Sequence, residues 1–220
     1  MKPLIILNHI PRTGGTSFID CLKRNFNEPE IVRFPRGVDL DWTKINCIHG
    51  HFNMNHPEID RCFPGRERIH FTFLREPIAR TLSYYYFSEH QKTIDEWLDS
   101  NNYFIANTMT KYLGNADGPP NESHLNEAIG NLDIINFGIT EYFDAFLSDF
   151  QETFPSIFKT IEYERKNVTP PEKKPDINPY QIAKIESMNN LDIELYEYAK
   201  SELSETWTGK NVYNNARNTN

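Results

Sequence analysis

Nine residues near the start, His9-Ile10-Pro11-Arg12-Thr13-Gly14-Gly15-Thr16-Ser17, combine a permanent cation, a glycine pair and three hydroxyls. They stand between an apolar run, Leu4 to His9, and a stretch from Thr16 to Phe26 whose apolar residues (Phe18, Ile19, Leu22, Phe26) fall at helical spacing. A loop that leaves a strand and enters a helix presents backbone N–H groups with no intrahelical partner, and these groups with the helix dipole attract anions. Glycines let the backbone wrap closely around phosphate oxygens. Thr13, Thr16 and Ser17 add hydroxyl donors, and Arg12 adds a fixed positive charge. The nucleoside-triphosphatase pattern GxxxxGK[ST] requires lysine after its last glycine; Thr16 follows Gly15 here, so that pattern fails. The plain alternative is a tight turn with a threonine cap.

A second set of such residues is Leu74-Arg75-Glu76-Pro77-Ile78-Ala79-Arg80-Thr81-Leu82-Ser83-Tyr84. Ile69 to Leu74 alternates as a central strand should, and Pro77 suits the first turn of a helix running to about His90. Arg75 then stands at the sheet edge where ligands of open α/β folds collect. Its planar fork and the Ser83 hydroxyl, two helical turns on, can meet on one phosphate. Taken alone, RxPxxRxxS equally suits a structural ion-pair helix. The third set is His49-Gly50-His51, after a short apolar run from Ile45. On a strand both rings face one side, and an imidazole can take a proton from a hydroxyl near neutral pH. Zinc ligation with His56 competes, although no carboxylate or cysteine completes a set. Hydrogen-bonded structural histidines are the plain alternative. His9, His70, His90 and His124 have no comparable context and are assigned no chemistry.

The elements that must position these residues alternate. Strands are expected at Leu4 to His9, 31–34, 45–50, 69–74 and 132–139. Helices are expected at 16–26, 78–90, 93–100, 102–113, 122–130, 141–150, 179–188 and 191–203. This pattern predicts a three-layer α/β fold with a mostly parallel central sheet, a P-loop-like strand-turn-helix at its start, and a single domain. Residues 1–207 are expected to form that domain and 208–220 a polar, frayed tail. The proline-rich segment 167–179 reads as a loop, in which Lys173 and Lys174 either cover a nucleotide or are simply solvated.

Composition narrows the function classes. With 220 residues, 25% charged and 13% aromatic, the chain is that of a folded globular domain. The net charge of −8 is uneven: residues 1–92 hold 13 basic and 10 acidic side chains, and the remainder holds 10 and 21. Such an acidic chain argues against general nucleic-acid binding, whereas its basic first half suits a small anion. No apolar stretch approaches the length of a membrane span. Three cysteines without CxxC spacing support neither a zinc finger nor a disulfide scaffold.

With both anion elements in order at strand-to-helix junctions, the chain resembles the sulfotransferases that use 3′-phosphoadenosine 5′-phosphosulfate (PAPS). His9 to Ser17 is similar to their 5′-phosphosulfate loop, commonly written PKTGGTS, and Arg75 to Ser83 to their 3′-phosphate motif. Over about residues 4–205 the chain is most similar to the heparan sulfate 2-O-sulfotransferase-like group and its smaller bacterial relatives. Tyr103 to Gly114, Phe137 to Glu141 and Leu191 to Tyr196 add to that likeness. The resemblance implies PAPS as co-substrate without a metal, bound by Arg12, Thr13, Gly14, Gly15, Thr16 and Ser17 at one end and by Arg75 and Ser83 at the other. It implies in-line transfer to a hydroxyl, with a carbohydrate favoured as acceptor. His51 is the favoured base, and His49 orients substrate or shares the proton. One departure stands out: the family's lysine is replaced by Arg12, which keeps the charge but changes its geometry. Arg12 is expected to steady the bridging oxygen as sulfate leaves. The rivals are a non-catalytic PAPS- or nucleotide-binding module, for which Arg12 is the one hint, and a kinase-like enzyme dependent on Mg-ATP. Eukaryotic relatives sit in the Golgi behind a membrane anchor; the expectation here is a soluble cytoplasmic enzyme of bacterial or phage type.

Overall fold

A computed structural model describes residues 2–28, 30–35, 40–88, 92–100, 105–166 and 176–206. His90, Tyr103, Lys173, Lys174 and the tail from 207 onward lie outside these residues. The elements in chain order are β1 (Leu4–Asn8), α1 (Gly15–Asn25), β2 (Ile31–Arg33), β3 (Cys47–Gly50), α2 (Pro57–Cys62), β4 (Arg68–Leu74) and α3 (Pro77–Ser88). Then come α4 (Ile94–Ser100), α5 (Thr108–Leu113), α6 (Glu122–Leu132), β5 (Asn136–Ile139), α7 (Phe143–Thr153), α8 (Pro179–Met188) and α9 (Asn190–Thr206).

The five strands form one parallel sheet in the order β2-β3-β1-β4-β5. β1 is central and wholly buried, and its side chains divide with period two. Leu4 and Ile6 pack with Val32, Ile48 and Ile59 of α2, while Ile5 and Leu7 pack with Phe18 and Leu22 of α1. Helices therefore cover both faces, and the expected three layers are present. From β1 the chain runs outward to β2 and back to β3, then crosses to β4 and β5 on the other side. The carboxyl ends of β1 and β4 thus flank the point where the winding reverses, the crevice in which open α/β sheets bind ligands.

Phe18 anchors α1 to the sheet. Its buried ring lies 5.1 Å from Phe73, 5.9 Å from Phe71 and 5.9 Å from Phe158. Fully burying such a side chain contributes about 1.5–3 kcal/mol, which holds the start of α1 against the end of β1.

Three elements depart from expectation. The helix expected over 102–113 breaks, in its described part, at the left-handed Asn107, so that α5 begins only at Thr108. Residues 132–135 are not strand: Leu132 closes α6 against the core, and β5 begins only at Asn136. α2 was not anticipated. His56 caps it, its Nδ1 accepting from the Glu58 N–H at 3.3 Å, and Pro57 occupies the first turn. His56 is thereby a cap, with its ring edge-on to Phe34 and Phe52. Among the described residues no helix is long and apolar enough to cross a membrane.

Candidate active site

The turn after β1 needs two left-handed residues, Arg12 (φ 71°) and Gly14 (φ 85°). For arginine that conformation is unfavourable and must be held by its surroundings. Thr13 is buried, and its hydroxyl donates to the Ile10 carbonyl at 2.9 Å. Arg75 Nη1 donates to the Arg12 carbonyl at 3.2 Å. The Thr140 hydroxyl faces two carbonyls, Thr13 at 2.7 Å and Leu74 at 2.8 Å, and so ties this turn to the end of β4. No side chain caps α1, which starts at Gly15 behind Gly14; its N-terminus is turned to the cleft as an anion site requires. Gly15 is needed for space: a Cβ there would lie 2.0 Å from Cδ2 of His9.

The second element works differently from the first. Glu76 accepts from the N–H groups of Ile78 (3.0 Å) and Ala79 (2.6 Å), so its own carboxylate fills the N-terminus of α3. What this element offers an anion is two side chains, Arg75 and Ser83, rather than a helix end. Ser83 Oγ, on the cleft side of α3, accepts from Arg12 Nε at 3.1 Å. The two elements, 71 residues apart, are therefore one constellation. Burial first, then the neighbouring Arg75, pushes the Arg12 pKa down; burial pushes Arg75 down, opposed by Glu141 and Glu76. Guanidinium groups nonetheless stay protonated in proteins.

These residues line a cleft of about 680 Å³, together with the turn from Gly14 to Ser17. That volume suits a nucleotide-sized ligand. Residues to which no role was given also line it, including His9, Tyr86, Tyr163, Arg165 and Lys166. Arg165 pairs with Asp144 at 3.0 Å, and the Lys166 N–H donates to Ser17 Oγ at 3.1 Å. The adjacent cations Arg165-Lys166 before the proline-rich loop were the available signal for this strand of chain.

The three histidines nearest the loop sit together, and only His9 of them lines the cleft. The rings of His9 and His51 are 4.4 Å apart. His51 is exposed, one residue beyond β3, and its Nδ1 lies 2.6 Å from the His9 carbonyl. A carbonyl can only accept, so Nδ1 carries a proton, and in the neutral form of the ring the lone pair is the one on Nε2. His49 is half-buried on β3, in register with Leu7 and Arg33. Burial lowers its pKa to about 4, with Lys23, Arg33 and His51 adding to the effect. Burial lowers His9 to about 3, helped by His51, His49, Arg33 and Arg12. Both rings are neutral at pH 7.

Arg80 is structural. It is fully buried and donates to the Ile105 carbonyl at 2.5 Å, with Asp192 Oδ2 3.9 Å from its Nε. Asp192 also accepts from the N–H groups of Met109 (3.0 Å) and Thr110 (2.7 Å) and from the Thr110 hydroxyl (2.8 Å). Asn107 Oδ1 accepts from the N–H groups of Leu191 and Asp192. The segments around Asn107–Thr110 and Leu191–Tyr196 thus meet in a buried polar joint behind α3. Tyr196 extends the joint toward the site, its hydroxyl donating to Glu141 at 3.1 Å.

No curated protein matches the chain. Among solved structures, a mouse sulfotransferase, SULT7A1, complexed with PAP, is similar at 14% identity and a TM-score of 0.44. The match covers 85% of this chain and spans 64% of the mouse chain. The sequence model of the Sulfotransferase family matches residues 2–199, nearly all of the described fold and every element of the cleft. The chain belongs to the sulfotransferase family.

Proposed function

We propose that this chain is a PAPS-dependent sulfotransferase acting on a hydroxyl of a carbohydrate, in the cytoplasm. The observation that carries the proposal is the convergence of Arg12 and Arg75 beside the uncapped start of α1. Two half-buried cations side by side disfavour each other, and an anion between them favours both. A donor with a phosphosulfate at one end and a 3′-phosphate at the other supplies charge for both. When bound, PAPS brings a sulfuryl group whose S–O bond to phosphate breaks as the acceptor oxygen bonds to sulfur.

The chain's own residues then have separate tasks. Arg12 and the N–H groups of the turn stabilise the charge that grows on the leaving phosphate oxygen. Thr16 and Ser17 help hold the phosphosulfate, and Arg75 with Ser83 holds the 3′-phosphate. Thr13 acts through the turn it braces, its hydroxyl being committed to Ile10. His51 takes the acceptor's proton on Nε2, for which the Nδ1 contact with the His9 carbonyl prepares it. His49, neutral and beside it, orients the acceptor.

Thermal stabilisation tests the donor assignment. At about 100 times its dissociation constant, 3′-phosphoadenosine 5′-phosphate (PAP) should add about 2.7 kcal/mol, with little effect from AMP. Stabilisation by Mg-ATP alone would sink the proposal. His51→Ala should keep the PAP effect and lose about 10²- to 10⁴-fold in acceptor-dependent turnover; full activity would move the base elsewhere. Labelled PAPS offered with saccharides, phenols and tyrosyl peptides decides the acceptor. A second reading, a non-catalytic PAPS-binding module, draws on Arg12 standing in the lysine's place. It predicts PAP stabilisation with no transfer to any acceptor.

A further inference from the structure

Among the described residues Arg12 makes two contacts with α3, and they are one helical turn apart. Its Nε donates to Ser83 Oγ at 3.1 Å, and its Cζ lies 4.5 Å from the centre of the Phe87 ring. Residues four apart share a face of a helix, so Ser83 and Phe87 present a hydroxyl and an aromatic face to the same guanidinium. Phe87 is 57% exposed, one of three large apolar side chains so exposed among the described residues. Among the described residues, the cation over its ring is the contact that distinguishes it from Ile134 and Tyr180.

A lysine ammonium is a compact point charge with rotatable donors. A guanidinium is a plane whose donors act only in that plane. A hydrogen bond at Nε holds one edge of that plane, and an aromatic ring beneath favours one tilt of it. The backbone end of the side chain is already set by the left-handed turn.

We propose that Phe87 is a positioning residue for Arg12, holding the guanidinium in the plane from which it meets the leaving phosphate oxygen. This rests on the sulfotransferase reading given above. It assigns the arginine found in the lysine's place a partner on α3 that a lysine would not require.

The test is a double-mutant cycle on single-turnover release of PAP from PAPS, with water as the acceptor so that no acceptor need be known. A cation over an exposed ring contributes about 2- to 5-fold. Phe87→Ala should therefore slow release by about that factor in the wild type, and Phe87→Leu equally, because it keeps bulk without a π face. Phe87→Tyr should restore the rate. In an Arg12→Lys background the same substitutions should change the rate by less than half of that. PAP affinity, from thermal titration, should stay within about twofold between each Phe87 variant and its own parent, wild type or Arg12→Lys. An equal loss in both backgrounds, rescue by Leu, or a loss confined to PAP affinity would each overturn the assignment. The upfield ring-current shift of the Arg12 Nε–H resonance reports the seat without turnover. If that shift disappears in Phe87→Ala while the wild type turns over no PAPS, the seat stands and the sulfotransferase reading fails. If the shift is unchanged in an active enzyme, the seat fails alone.

Discussion

Replacing Arg75 by alanine separates the cleft's charge from its shape. Arg75 is half-buried at the end of β4 and reaches the anion turn through the Arg12 carbonyl at 3.2 Å. A hydrogen bond to a charged group contributes about 1.5–3 kcal/mol, so its loss should weaken PAP binding about 10- to 150-fold. With PAP at about 100 times the wild-type dissociation constant, the wild type gains about 2.7 kcal/mol, and a variant weakened 100-fold gains about 0.4 kcal/mol at the same concentration. For a chain of this length 1 kcal/mol moves Tm by about 2–4 °C, so the PAP-induced shift should fall from about 5–11 °C to about 1–2 °C. The unliganded Tm should change little, because Arg75 is burdened by burial and sits beside the like charge of Arg12. Differential scanning fluorimetry with PAP reads both quantities, and calorimetry gives the affinity. A variant that keeps most of the wild-type PAP shift would refute the convergence of Arg12 and Arg75 on a shared anionic ligand.

Two further outcomes follow from groups away from the proposed phosphate site. Asp192→Ala leaves Arg80 buried without its counter-ion and strips three donors of their acceptor; the urea midpoint should fall by the equivalent of about 3–5 kcal/mol, whereas a loss below about 1 kcal/mol would contradict a buried ionic joint. Acid should also destabilise the fold early, because burial holds His9 at about 3 and His49 and His70 at about 4. Their folded pKa values lie below the unfolded value, so only the unfolded chain takes up protons as pH falls through about 6.5, and stability is lost in that direction. From pH 7 to 5.5 each should contribute a loss of about 1.2 kcal/mol, or about 3–4 kcal/mol together; a urea midpoint that is flat over that interval would show that these rings are not buried neutral.

Much of the fold was legible because its signals are local. β1, α1, β4 and α8 each carry their own period, glycine or proline punctuation, and were placed within two residues of their observed ends. α2 was missed because its six residues are too short to show a period, and its start rests on a histidine cap. The turn from His9 to Ser17 was legible as a feature for the same local reason: glycines, hydroxyls and a cation in nine consecutive residues. Its neighbours were not. His9 gains significance only when Gly15 and His51 close on it, and Lys166 only when its N–H reaches Ser17 from 149 residues away.

The same distinction explains what the scattered family motifs do. Thr140 touches no phosphate motif in sequence, yet its one hydroxyl spans the carbonyls that end the β1 turn and β4. Asp192 and Asn107 lie far from the cleft, yet they lock α5 and α9 behind the helix that carries Ser83 and Phe87. Sulfuryl transfer demands little covalent work from a protein and much alignment, since positioning and electrostatics supply most of the rate. A tenfold rate difference corresponds to about 1.4 kcal/mol, which is on the scale of the single hydrogen bonds holding this turn. Loss of Thr140's bridge should therefore act on Arg12 and Arg75 together, through the backbone they share. Residues of that kind show no chemistry of their own in a sequence, and they set how well the residues with chemistry meet.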